Sequence, residues 1–217
     1  MKVIDLGLIP FRQAEAIQTR RVREVAEGAE NTLYLLEHTP VITIGRQGGM
    51  ESLKVTPEHL AARGIDLVRT RRGGNITCHY PGQLVAYPVF RINRRIGGIR
   101  GFFRAMEEVV IRTLDCFGIP GRRVQGHAGV WVRGAKIASM GIAVRRWVAY
   151  HGLSLNVGPD LSLFSLINPC GMGHVVPTSV HRECGPGGPD MPEIKHVCAR
   201  EFKQVFAHPQ VVAHPAA

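Results

Sequence analysis

The sequence is short of lysine, of acid and of aromatic side chains, and each shortage narrows what the chain does. Only 5 of the 27 basic residues are Lys and the rest are Arg, set against 17 Asp and Glu, with 6% aromatics. The resulting net charge of +10 attracts anionic partners, whether nucleic acid, lipid surface or an acidic carrier protein. The arginines occur mostly as scattered pairs (Arg20-Arg21, Arg71-Arg72, Arg94-Arg95, Arg122-Arg123, Arg145-Arg146). There is no basic tail and no basic run interleaved with aromatics, so a dedicated nucleic-acid binder is not expected. No apolar run approaches the roughly 18 residues of a membrane span. Asp5 interrupts the stretch where a signal peptide carries its apolar core, so no membrane association and a cytoplasmic location are expected. C-x-x-C pairs are absent too. Cys78, Cys116, Cys170, Cys184 and Cys198 are odd in number and widely spaced, which argues against a zinc knuckle or a disulfide framework and leaves room for a single reactive thiol. His174, His181, His196, His208 and His214 show no metal-ligand spacing, and no metal is expected.

What is present suits one folded domain spanning residues 1–217, with a tail frayed from about 207. Gly and Pro together are 39 of 217 residues, below the level of low-complexity disorder, and no repeat or linker divides the chain. Apolar side chains at Ala14, Ile17, Val22 and Val25 predict a surface helix over 12–27, stopped by Gly28. Phe102, Met106, Val109, Val110, Leu114 and Phe117 predict a second over 101–117, and a third is expected from about Pro192 to Phe206. Strand-like runs at 32–37 and 41–45 flank Thr39-Pro40, and others at 66–70, 75–79 and 83–89 flank Gly73-Gly74 and Pro81-Gly82. Three more (129–132, 136–144, 147–157) read as an antiparallel meander, and 160–167 has helical character. The expected fold class is α+β, a mixed and mainly antiparallel sheet packed with helices.

Three places can carry chemistry. The stretch 71–83 (RRGGNITCHYPGQ) joins permissive glycines to polar side chains, so that main-chain N–H groups can approach a ligand beside the fixed charge of Arg72. A β-hairpin with Gly turns has the same composition, and neither a P-loop nor a dinucleotide fingerprint fits. Lys136, among small and aliphatic residues in a chain that otherwise uses Arg, suits proton transfer or thiolate stabilisation, although a strand-edge Lys with its head in water looks the same. Cys170, between Pro169 and Gly171, suits a nucleophile exposed on a turn, though a buried Cys is also commonly just a small hydrophobe. His79 and His151 are candidates for polar recognition or proton transfer.

Taken together, RGGNITCHYPGQLVAYPV, the block from Gly129 to Val157 with its KIASMGIAV core, and NPCG followed by PTSV resemble the lipoyl(octanoyl) transferase family over roughly residues 30–182. The resemblance implies the catalytic-domain fold of biotin and lipoate protein ligases. It also implies transfer of an octanoyl or lipoyl group from acyl carrier protein to a lysine of lipoyl domains, those of 2-oxoacid dehydrogenases and of the glycine cleavage H protein, by a chain expected to be a monomer without a cofactor. By resemblance, Cys170 is the acyl-thioester nucleophile and Lys136 the residue that lowers its pKa. Arg72, Gly73, Gly74, Asn75, Ile76, Thr77, Cys78 and His79 form the first substrate-binding stretch, Ser139, Met140 and Gly141 the second, and Gly152, Leu153 and Ser154 the third. The chain departs from the family pattern at Tyr80 (usually Gly), Ala149 (usually Thr), Ser154 (usually Ala) and Ser139-Met140 (usually Ala-Ile). The alternatives are an ATP-dependent lipoate or biotin ligase on the same fold, which needs no nucleophilic Cys, and a noncatalytic basic binding protein.

Overall fold

A computed structural model of the chain describes residues 1–93, 96–168 and 175–208. Among the described residues, ten strands divide between two sheets. β1 (Lys2–Ile9), β2 (Thr32–His38), β6 (Gln83–Arg91), β7 (Arg122–Val124), β8 (His127–Val132), β9 (Ala135–Arg145) and β10 (Val148–Asn156) form a seven-stranded sheet in the order β1-β2-β6-β10-β9-β8-β7. β3 (Val41–Ile44), β4 (Asp66–Arg69) and β5 (Ile76–His79) form a small sheet in the order β4-β3-β5. Among the described strands, β1/β2 and β3/β4 pair in parallel and the other ladders are antiparallel, as expected. β2 and β3 are both strands, as the sequence suggests, but Thr39-Pro40 delivers them to different sheets.

The large sheet is covered on both sides. α1 (Phe11–Ala26) lays Ala14, Val22 and Val25 against Val85, Tyr87 and Val148 on one face. On the other, α3 (Gly98–Asp115) and α5 (Met191–Ala207) bring Phe102, Met106, Val109, Ile194 and Phe202 onto Leu84, Phe90, Val130 and Leu153. Both central strands are therefore buried on both faces: every residue of β10 and all of β6 except Arg91. At roughly 25 cal/mol per Å² of apolar surface, this double burial is the main stabilising term. α5 starts where Asp190 accepts from the Glu193 amide at 2.9 Å, with Pro192 in its first turn.

The small sheet sits at the start of α1, where Phe11 packs on Val41 and Val68. Its outer face is closed by α2 (Pro57–Ala62) and by a single 3₁₀ turn at Ser162–Leu166, the form taken by the helical signal in that stretch. Short α4 (Val180–Cys184) precedes α5. The expected frayed tail falls almost wholly outside the described residues.

Candidate active site

A cavity of about 490 Å³ opens where the small sheet meets the ends of β9 and β10. This is within the roughly 300–1,000 Å³ usual for small-molecule sites. Each of the three expected substrate-binding stretches contributes to it: Arg72, Gly74, Asn75, Ile76, Thr77 and His79 from the first, Lys136 with Ser139, Met140 and Gly141 from β9, and Gly152, Leu153 and Ser154 from β10. Strand register explains the convergence. β9 pairs with β10 so that Gly141 faces Gly152, Met140 faces Leu153 and Ser139 faces Ser154. Three of the departures from the family pattern, Ser139, Met140 and Ser154, thus sit side by side on the cavity floor. The other two, Tyr80 and Ala149, are buried in the packing clusters.

Two residues of the first stretch are not among the lining residues. Alternation along β5 sends Thr77 and His79 to the cavity and Cys78 into the core behind the sheet, where burial pushes its thiol well above the usual range. Gly73 is part of the loop's frame. Its amide donates to the Ile142 carbonyl at 2.8 Å, and the Gly74 amide donates to Gln47 Oε1 at 3.0 Å. These two amides, expected from the sequence to face a ligand, are spent holding the loop. Gly141 permits the contact, since a Cβ there would lie 2.7 Å from the Gly73 carbonyl oxygen. Arg72 is also structural in part: Nη2 donates to the Thr43 carbonyl at 2.6 Å and Nε to Thr43 Oγ1 at 3.1 Å, which staples the loop to β3. Cys170 lies outside the described residues.

Lys136 owes its position to a bulge. Val130 pairs with Ala138 and Trp131 pairs with Lys136, so β9 uses one residue more than β8 and the strand turns there. The Lys136 ammonium lies over the Trp131 ring, 5.4 Å from its centre. Its stem passes Gly129, where a Cβ would come within 2.9 Å of Cε. The backbone beyond the undescribed segment returns to this point: the Lys136 amide donates to the Val176 carbonyl at 2.8 Å, and the Thr178 amide donates to the Lys136 carbonyl at 2.9 Å.

Two neutral imidazoles, His79 and His151, line the cavity, and a third, His38, packs against His79 with ring centres 5.4 Å apart. Gln83 Nε2 donates to Asn156 Oδ1 at 3.0 Å and to the Cys78 carbonyl at 3.3 Å, which fixes the amide and makes its oxygen the acceptor for His79 Nδ1–H at 2.7 Å. His79 therefore keeps its lone pair on Nε2. His38 donates from Nδ1 to the Ile9 carbonyl and accepts the Tyr87 hydroxyl on Nε2 at 2.8 Å. Burial lowers the pKa of His79 well below the usual value, that of His38 to about 4, and that of His151 to about 3, the Arg72 charge adding to the last.

His151 is the least satisfied of the three. It is 1% exposed, and neither ring nitrogen has a hydrogen-bond partner among the described residues. Its φ of 57° lies in the left-handed region, strained for a residue with a Cβ by about 1–3 kcal/mol. The cause is legible one strand away. By the pairing of Ala149 with Phe90 and Leu153 with Ala86, residue 151 stands opposite Pro88, which has no N–H for the ladder. The chain kinks there, and the His151 amide donates instead to Gln18 Oε1 at 2.7 Å. A proline inside a strand-like run was the available signal that this position is special. Phe11, Tyr87, Asn156 and Phe164 also line the cavity, and nothing in their local sequence singled them out.

Residues 10–203 match the model of the lipoyl protein ligase A/B catalytic domain. The chain belongs to that family. Within the lipoyl protein ligase A/B family, it is 58% identical over all 217 residues, and over the whole of the relative, to the octanoyltransferase of Nitratidesulfovibrio vulgaris strain Miyazaki F. Its fold is that of a lipoate-protein ligase A solved bound with ATP, at a TM-score of 0.79 and 18% identity over 98% of this chain and 92% of that one. It is also similar to the biotin protein ligase of Aquifex aeolicus, at a TM-score of 0.55 and 10% identity over 95% of this chain and 69% of that one. The expected α+β ligase-type fold is borne out. Among the described residues, no helix is long and apolar enough to cross a membrane.

Proposed function

We propose that this protein is an octanoyltransferase that takes an octanoyl group from acyl carrier protein and delivers it to a lysine of lipoyl domains through a thioester on Cys170. The observation that carries this reading is the convergence of the stretches 72–79, 139–141 and 152–154, with Lys136, on one cavity in a chain 58% identical to an octanoyltransferase. In the first step the Cys170 thiolate attacks the donor's thioester carbonyl; the new C–S bond forms as the C–S bond to the carrier breaks, and the departing thiolate takes the proton held by Lys136, leaving that amine neutral. Thioester is exchanged for thioester, so the step is close to balanced. In the second, the acceptor amine attacks the acyl-enzyme, the amide forms, Cys170 departs, and the amine's proton passes to Lys136. An amide product makes the transfer effectively one-way.

The lining fits these demands. Met140, Leu153, Phe11 and Phe164 supply apolar surface for an acyl chain, worth about 0.8 kcal/mol per buried methylene. His79, held by Gln83, and His151 are neutral and able to hydrogen-bond the polar end of the substrate. The ATP-dependent ligases share the fold, so the fold does not separate the two chemistries, and an experiment without ATP does. Intact-protein mass spectrometry after mixing the protein with octanoyl-acyl carrier protein, without ATP, is expected to show one added octanoyl group, lost on adding lipoyl domain and absent in Cys170→Ser. No adduct and no transfer unless ATP and free octanoate are supplied would replace this reading with the ligase one.

A further inference from the structure

A second groove, of about 650 Å³, runs along the outside of α1. Arg12, Arg20 and Arg23 enter it from the helix, Arg69 and Arg71 from the end of β4 and the loop after it, and Arg145 from β9. All six are exposed. Among the described residues only Arg20 has an ion pair, a loose 3.9 Å contact with Glu24. Other arginines are held within the fold: Arg112 and Arg123 by Glu108 and Glu107, and Arg91 by the carbonyls at the end of α1. The one acid lining the groove is Glu15, a half-buried carboxyl whose pKa burial raises against the pull of Arg12 and Arg71. Six guanidiniums around one carboxyl repel one another, and nothing in the fold is gained by gathering them.

The groove is one residue layer from the cavity. Three consecutive pairs, Phe11/Arg12, Arg71/Arg72 and Tyr150/His151, each give one member to the cavity and the other to the groove. A partner seated in the groove therefore lies against the site's wall and not at its floor. This distinguishes the two proteins the reaction brings together. An acceptor lysine has only its four-carbon stem and must approach the mouth directly. A donor whose acyl group rides on a long, phosphodiester-linked arm can sit a wall away and thread the arm inward, and its phosphate suits guanidinium recognition.

We infer that this arginine groove seats the acidic surface of the carrier protein that delivers the acyl group, an inference that rests on the function proposed above and adds the donor's docking face to it. The groove then acts on donor affinity and encounter rate, while the chemistry of the cavity is independent of it.

The test is the triple variant Arg23→Glu/Arg69→Glu/Arg145→Glu in the full chain, none of whose positions lines the cavity, with Arg23→Gln/Arg69→Gln/Arg145→Gln as the milder companion. Binding of octanoyl-acyl carrier protein is measured directly by fluorescence anisotropy, and transfer is measured from both that donor and S-octanoyl pantetheine, which has neither protein nor phosphate. Expected are a roughly tenfold or greater loss of carrier binding in the Glu variant, an intermediate loss in the Gln variant, and pantetheine-donor and lipoyl-domain kinetics within about twofold of the parent. Unchanged carrier binding, a loss that falls on the lipoyl domain, equal loss with both donors, or tighter binding of short duplex DNA than of the carrier would each overturn the inference. Carrier binding that depends on the arginines, in a parent protein that forms no octanoyl-enzyme, would leave the docking face standing and bring down the thioester reading instead.

Discussion

His151 concentrates the local costs of the site in one residue: a left-handed backbone and two buried ring nitrogens with no partner among the described residues. An unsatisfied buried polar group costs about 1–3 kcal/mol, and under the function proposed above a contact between this imidazole and the substrate offsets that cost. His151→Phe keeps a flat ring and removes the nitrogens. The variant is expected to melt at or slightly above the parent temperature while octanoyl transfer falls by about ten- to a hundredfold. Full transfer by a stable variant would make the imidazole a packing group. Lys136 calls for a different separation. In Lys136→Arg a cation is kept, but the group no longer accepts a proton at any working pH. Single-turnover mass spectrometry is expected to show the octanoyl-enzyme forming and then persisting after lipoyl domain is added; normal aminolysis would remove Lys136 as the base.

Whole elements carry the placement of these residues, and here the sequence was readable in some parts only. α1, α3 and α5 follow their helical periodicity to within a few residues, and the β8-β9-β10 meander follows its turn signals. β1 escaped notice because it is an edge strand with mixed burial and a register shift between Asp5 and Leu8 near Gly7, which breaks the alternation a strand is recognised by. The split of β2 and β3 into two sheets was illegible for another reason: local pattern marks strands but does not assign partners. Likewise the motifs named nearly every lining residue of β9 and β10, yet the bulge that aims Lys136 arises from pairing between strands and has no signature in either alone. The contact between the 72–75 loop and β9 has a direct test. Gly141→Ala puts a methyl group 2.7 Å from the Gly73 carbonyl, displacing the loop that Arg72 staples to β3. It should cost about 1–3 kcal/mol in urea unfolding and reduce transfer, whereas Gly187→Ala, which meets nothing within 4 Å, should cost neither. Equal behaviour of the two variants would mean the loop moves freely.

For the molecule as a whole, the cluster of neutral histidines at and behind the cavity ties the state of the site to the stability of the fold. His38, His79 and His151 have pKa values below the ordinary 6.5 because burial disfavours their charged forms. Unfolded, the same groups titrate near 6.5, so between that pH and about 4 the unfolded chain binds protons that the native one does not. Stability therefore rises with pH in that window, is fully present above about 6.5, and is lost as the pH falls below it. The slope approaches about 1.4 kcal/mol per histidine per pH unit, which for three residues amounts to about 4 kcal/mol by pH 5.5. That is a large share of the roughly 5–15 kcal/mol of a typical domain. Carboxyl groups oppose part of this, since burial raises Glu15 and Glu107 above the ordinary 4.5. Urea unfolding at pH 7.5, 6.5 and 5.5 should show a small change over the first interval and a steep fall over the second. His38→Gln, which cannot take up the proton and keeps polar atoms for Ile9 and Tyr87, should flatten that fall by about a third whatever it does to stability at pH 7.5. A parent protein equally stable at 5.5 and 7.5 would show that the imidazoles are hydrated and protonated in the native state, and the dry, uncharged wall of the cavity would have to be given up.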